Sequence, residues 1–341
     1  MRLLGRIVIL LVFTAESLFA KSIKVSEIKY KVDFNEDFKI LVVAGQLNKV
    51  DNLTSDVELI DPFIAKSNCV KPDDYPLKTS EITGSAGTFC GGSFENTHNN
   101  CYQYLEQNKT WITIGSLNYR RYAASSVLAK GNYWITGGGL LNGGTDLTTS
   151  EILKNNIGPI VQSSDLPEQL RHHCMSTINE THVFIAGGDW SSKSAYLVDV
   201  SIEPFGFLKL PPMLENRSGA ACGTIVWPYS PTSTTNDFLV IVAGGNYYDI
   251  TDSSTTSEFY SPLANVWVNG PTLPRGFIKG GYFTTKEYSL IMVGGQDENG
   301  SQRSDVMAFG NVLSSIEFLP GKLDTAREAF AAIAINTDEK C

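Results

Sequence analysis

Histidine is scarce in this 341-residue chain: His98, His172, His173 and His182 are the only four, and none stands in an H-E-x-x-H arrangement. The spacings of these histidines and of the six cysteines match no zinc pattern, so no metal is expected. Neither a nucleophile elbow nor a phosphate-cradling glycine loop occurs, and no catalytic residue or cofactor is assigned. Basic residues are in the minority, 27 Lys and Arg against 36 Asp and Glu, and a formal charge of −9 opposes nucleic-acid binding. No stretch approaches the length needed to cross a bilayer core of about 30 Å. The apolar run Ile7 to Phe13 is too short, and Glu16 breaks the chain just beyond it. Low-complexity tails are missing as well, which leaves an ordinary folded protein.

The N-terminus does carry the layout of a secretory signal peptide: Arg2 and Arg6, the apolar run, then small or neutral residues up to Ala20. The expected division is a signal peptide over 1–20, an N-terminal segment over 21–37, one folded domain over 38–336 and a tail over 337–341. Removing Arg2, Arg6 and Glu16 with the leader leaves 25 basic and 35 acidic residues, a charge of −10. Export fits the even cysteine count, which suits an oxidising compartment. It also fits five N-x-S/T sequons, at Asn52, Asn108, Asn179, Asn216 and Asn299. A secreted, disulfide-bonded, monomeric glycoprotein is expected.

A short pattern recurs along the chain: a β-rich apolar run that ends in glycine. It reads ILVVAG at 40–45, TFCGG at 88–92, YWITGGG at 133–139, VFIAGG at 183–188, LVIVAGG at 239–245 and LIMVGG at 290–295. A polar stretch and a second strand come after each glycine end, as in DVELID at 56–61, CYQYL at 101–105 and SEFYS at 257–261. A third strand shows best as TWITI at 110–114 and VWVNG at 266–270, and a strand of small residues such as YAASSVL or GAACGTIV opens the next unit. The glycine ends lie about 45 to 57 residues apart, and a β-rich repeat of that period selects a propeller, with four strands to a blade. Trp111 and Trp267 would fill the wedges between blades.

The glycine pair after an apolar strand, the acidic or aromatic strand after it, and the Trp before a Leu- or Pro-containing turn resemble kelch repeats over residues 38–336. The match is clearest in repeats three to six. The first repeat has Ala44-Gly45 in place of a glycine pair, and the second is compressed between Ile82 and Gly92. Segment 21–37 leaves no room for the BTB and BACK domains of intracellular kelch proteins. The sequence 326–336, AREAFAAIAIN, reads as an opening strand with no glycine-ended strand after it, while the first repeat lacks an opening strand of its own. The expectation is an all-β, six-bladed kelch-type propeller, closed by the C-terminal strand completing the first blade and so free of bare sheet edges.

On the blades, Cys90 ends one strand and Cys101 starts the next, so they suit a hairpin disulfide; Cys174 and Cys222 fall in opening strands of consecutive blades. Cys69 and Cys341 remain as a residual pair. An arginine recurs near each opening strand, at Arg121, Arg171, Arg217, Arg275 and Arg327. Five guanidinium groups around one mouth would bind carboxylates, hence an acidic glycan or peptide. The competing reading is that these arginines bond local backbone and hold the blades together. Adjacent His172 and His173 point to opposite faces of a strand, so at most one faces the channel. The polar loops 93–100, 140–148, 246–255 and 296–304 offer a second recognition surface, and 230–236 reads as a flexible insertion. The leading function is therefore an extracellular module that binds a protein or glycan, not an enzyme. Secreted kelch relatives keep a sugar-modifying enzyme open: a mutarotase resembling the six-bladed sialic-acid mutarotases would use arginines and a carboxylate such as Glu328. A copper oxidase similar to galactose oxidase asks for more histidines than the chain has. A structural matrix glycoprotein is the third possibility.

Overall fold

The computed structural model describes residues 38–47, 52–66, 68–94, 96–139, 145–156, 158–189, 193–226, 238–246, 254–262, 264–285, 288–310, 316–336 and 341. The expected leader 1–20, the segment 21–37 and the 230–236 insertion lie outside them, as do most of loops 140–148 and 246–255. The described chain is all-β, and six of its seven sheets form the blades of a β-propeller; the seventh is a two-stranded ribbon, Ser93–Phe94 with Asn96–Thr97. Blades 3 to 6 each run from an innermost to an outermost strand in chain order. Blade 4 is representative, with strands Cys174–Asn179, His182–Ala186, Ala195–Asp199 and Gly206–Lys209. Blade 2 is the compressed one; its first two strands, Thr83–Ser85 and Thr88–Cys90, have three residues each. Blade 1 closes the ring: Ala331–Asn336 pairs with Phe38–Gln46, which pairs with Leu53–Ile60.

Burial explains the strand compositions. The second strand of blade 1 has eight consecutive buried residues, Phe38 to Gly45, because neighbouring blades cover both of its faces. Successive wedges hold separate clusters. Phe184, Val240, Tyr260 and Trp267 fill the one between blades 4 and 5, and the Trp267 indole N–H donates to Pro211 O at 2.8 Å. Trp111 does the same toward Asp73 O at 3.0 Å. Three disulfides join Cys90 to Cys101, Cys174 to Cys222, and Cys69 to Cys341. The first is the expected hairpin link, the second ties the inner strands of blades 4 and 5, and the third ties Cys341 to the connection between blades 1 and 2.

Two closed hydrogen-bond rings position everything at the mouth. In the outer ring one glycine of each strand end, Gly45, Gly92, Gly138, Gly188, Gly245 or Gly295, donates its N–H across to the next blade. The acceptors are the carbonyls of Thr79, Arg121, Leu170, Arg217, Phe277 and Arg327, at 2.7–2.9 Å. The approach is so close that a Cβ on the neighbouring Gly187 would collide with the Arg217 carbonyl oxygen, which is why glycine is used there. Two residues further on lies the inner ring. Glu81 N–H donates to Ala329 O, Ala123 to Glu81, His172 to Ala123, Gly219 to His172, Lys279 to Gly219 and Ala329 to Lys279, at 2.6–3.0 Å. All six residues have a left-handed φ between 51° and 67°. Peptide groups thus encircle the axis without a break.

Candidate functional site at the axial mouth

The rings give each blade a common register, and the arginines do not all share it. Arg121, Arg217 and Arg327 occupy the outer-ring carbonyl position in blades 3, 5 and 1. Blades 2, 4 and 6 place Thr79, Leu170 and Phe277 there. Arg171 falls one residue later and Arg275 two residues earlier. Side-chain exposures of Arg121, Arg217 and Arg327 are 0%, 1% and 0%, and each makes several hydrogen bonds within its own blade. Arg217 donates to Glu258 at 2.7 Å, to Gly244 O at 2.6 Å and to Thr256 O and Oγ1 at 3.1 and 3.0 Å. Arg121 repeats this with Glu151, Gly137 and Thr149, and Arg327 with Glu58, Ala44 and Asp56. Each glutamate also caps the turn before its arginine, as Glu151 accepts from Asn118 N–H at 2.6 Å. Of the five arginines expected to meet a ligand, these three brace their own blades, and only Arg171 and Arg275 keep exposed guanidinium surface.

The inner ring alternates in the opposite sense. Ala123, Gly219 and Ala329 stand in the blades with a buried arginine, while Glu81, His172 and Lys279 stand in the other three. Three long side chains can converge on one axis because the residue between each pair is small. His172 Nε2 reaches Glu81 Oε1 at 3.1 Å, and Lys279 Nζ lies 3.7 Å from the same oxygen. His172 Nδ1 meets Asp189 Oδ1 at 2.9 Å. Asp189, the residue after the blade 4 glycines, also accepts from Arg171 Nε at 2.5 Å and from the Ser218 hydroxyl. Arg171 continues the network to Tyr122 OH at 2.7 Å and Asp146 at 3.4 Å.

Burial alone would discharge this cluster, but its members hold one another charged. Desolvation pulls His172 down, yet Glu81 and Asp189 carry its pKa above the ordinary 6.5, so the imidazolium donates from both nitrogens. Glu81 and Asp189, which burial would raise, are held low chiefly by His172. His173 faces the other way, though not through the expected strand alternation: both histidines precede the strand, which starts at Cys174, and His172 sits at a left-handed φ of 52°. Buried between blades, with Nε2 2.9 Å from Thr136 Oγ1, it is pulled down to about 3 and stays neutral. Beneath the ring an axial cavity of about 280 Å³ is lined by Thr83, Ser125, Ser126 and Ser176. Tyr282, also in its lining, reaches across to blade 4, where its hydroxyl accepts the Met175 N–H at 3.0 Å.

The raised pKa of His172 makes its contribution to stability complete below 6.5 and lost as pH rises through the folded value. The lowered Glu81 and Asp189 contribute above 4.5 and 3.8 and lose that on acidification. The tie is therefore strongest between about pH 5 and 6.5. Denaturant unfolding across a pH series is expected to show stability falling above that window, and His172→Gln is expected to flatten the fall. His173 acts only on the acid side, so the two histidines separate in the same series.

Sequence reasoning missed Glu81, Lys279, Asp189, Tyr122 and Asp146. The one signal for the first two was a charge directly before an opening strand of small residues; for Asp189 it was its place after a glycine pair. Glu328, the carboxylate expected to serve a mutarotase, lies on this mouth in blade 1, buried, and accepts from Gln302 Nε2 at 3.1 Å. Asn52, Asn108, Asn179 and Asn299 are exposed, and Asn216 is half-buried. Among the described residues no group of three or more His, Cys, Asp or Glu could hold a metal ion, and no helix is long and apolar enough to cross a membrane.

No family model matches this chain, and no curated protein does. Among solved structures the chain is similar to that titled "Structure of YjhT", with a TM-score of 0.66 at 12% identity over 84% of this chain and 95% of that one. At that identity the likeness speaks to fold, and it agrees with the strand pairing: this protein is a six-bladed β-propeller.

Proposed function

We propose that the protein is a secreted, kelch-type propeller that binds an extracellular protein or glycan at the axial mouth. The observation that carries this is the convergence of Glu81, His172 and Lys279 from alternate blades onto one axis, fixed by Asp189 and Arg171. Rigid side chains whose geometry is set before a ligand arrives lower the ordering cost of binding. The cluster mixes three cations with the carboxylates of Glu81, Asp189 and Asp146, so it offers donors and acceptors side by side. That suits hydroxyl-bearing sugars or a polar protein loop better than a purely anionic ligand. Lys279, 34% exposed and only loosely paired, is the group freest to engage. A glycan array and a pull-down with the secreted chain test the reading. Lys279→Ala is expected to weaken the captured ligand about tenfold, near 1.4 kcal/mol, without moving the unfolding midpoint. Unchanged affinity in that variant would exclude the mouth.

A second reading has one observation in its favour: Glu81 and His172 form a carboxylate–imidazole pair above a cavity, an arrangement able to move protons. It is the sugar-modifying enzyme, in the manner of the sialic-acid mutarotases. A sugar-ring-opening assay decides, since activity present in the wild type and lost in Glu81→Gln would replace the pure-binding reading.

A further inference from the structure

At the opposite end of the molecule a second cavity, about 260 Å³, opens between blades 3 and 4. Its wall is apolar, built from Trp134, Ile152, Val200 and Phe205, with Trp134 and Phe205 meeting edge to face at 5.1 Å. Ile202 stands on its rim with 71% of its surface exposed. Beside the concave wall it extends the apolar surface that a guest could cover.

Trp134 supplies the second, independent observation. It is 2% exposed, and its indole N–H has no acceptor. Trp111 and Trp267 of the same chain each donate to a backbone carbonyl. A buried indole N–H normally finds such a partner. An acceptor brought by a ligand would complete it.

The rim decides the ligand's charge. Lys130 and Lys154 both line the cavity, and Glu203 is the single carboxylate among its lining residues. Lys130 Nζ holds Ser201 O at 2.6 Å, which fixes its position and uses one of three protons. Lys154 has no ion-pair partner among the described residues. An apolar interior, a buried donor without acceptor and two rim ammonium groups together describe one chemistry.

We propose that this cavity binds a small apolar molecule bearing one carboxylate, such as an aromatic or short aliphatic acid. The apolar body lies against Trp134, Phe205 and Ile202. A carboxylate has two acceptor oxygens, enough for the Trp134 N–H and a rim ammonium together. The size lies just below the range of about 300–1,000 Å³ typical of drug-sized ligands, so the guest is small. The site is separate from the axial mouth and does not rest on the function proposed for it.

The probe is 3-phenylpropionate, titrated into the whole protein while the indole N–H resonances of its five tryptophans are followed. Trp134 alone is expected to shift, saturably, and calorimetry is expected to give a Kd at least fivefold weaker for Trp134→Phe and for Lys154→Gln. The neutral probe 3-phenylpropanamide is expected to bind at least fivefold more weakly than the acid. Circular dichroism establishes that both variants are folded, and Lys154→Gln, being at the rim, keeps the test open should Trp134→Phe not fold. No saturable shift at Trp134, equal affinity in Lys154→Gln, or equal affinity for acid and amide would each overturn the proposal.

Discussion

Replacing Cys69 and Cys341 together by serine is expected to lower stability by about 5 kcal/mol, near the upper end of what a disulfide contributes. The size of the loss comes from the chain it closes. The bond joins residues 272 apart, so in the unfolded state it confines almost the whole domain, and the constraint grows with the logarithm of loop length. Cys90 and Cys101 are only 11 apart, and the same reasoning gives about 3 kcal/mol for their removal. Position adds to length. The innermost strand of blade 1, Ala331–Asn336, is the only one drawn from the far end of the chain. With the disulfide intact, a strand that detaches stays tethered and re-pairs; without it the ring opens at its seam. Denaturant unfolding of the two double-serine variants under non-reducing conditions checks both points. A smaller loss for the Cys69 and Cys341 pair than for the Cys90 and Cys101 pair would mean that the seam is held by strand pairing alone.

Arg217→Ala is expected to cost about 3–5 kcal/mol, because it strands a buried Glu258 carboxylate without its partner. Glu258 would keep the Leu214 N–H, at 2.7 Å, but lose the guanidinium that balances its charge. The carbonyls of Gly244 and Thr256 would lose their donor as well. Exchanging both partners, Arg217→Met with Glu258→Leu, is expected to recover much of the loss, since an apolar pair of similar volume removes the desolvation cost on each side. Arg275→Ala is the contrast: its side chain is 47% exposed and its nearest carboxylate oxygen is 3.8 Å away, so a change within about 1 kcal/mol is expected. Thermal and denaturant melts of the three variants measure this. Normal stability in Arg217→Ala, with loss of ligand alone, would return that arginine to the recognition surface.

The propeller was legible in the sequence because its signals are local. Apolar strands with glycine ends announce themselves within six residues, and the unpaired strand at 326–336 told how the ring closes. The arginine register was not. Connections into the opening strands differ in length, so Arg171 and Arg121 look alike in one dimension. Only the carbonyl that accepts from the preceding blade's glycine shows that Leu170, not Arg171, matches Arg121. A local clue existed in Thr149-x-Glu151, Thr256-x-Glu258 and Asp56-x-Glu58, a repeated acid two residues after a small polar one in the same three blades. The axial cluster had no such clue. Glu81 and His172 are 91 positions apart, and nothing about either residue alone marks it as facing the other.

The inner peptide ring governs how such a mouth can change. Its six N–H groups all point the same way around the circle, so their dipoles circulate and cancel, and the backbone presents the axis with almost no field of its own. Polarity there is written by side chains alone, at six left-handed positions where the backbone disfavours β-branched residues. The scaffold works as a socket: unbranched exchanges at Glu81, His172 or Lys279 alter the charge set on the axis while the backbone bonds of the circle remain available.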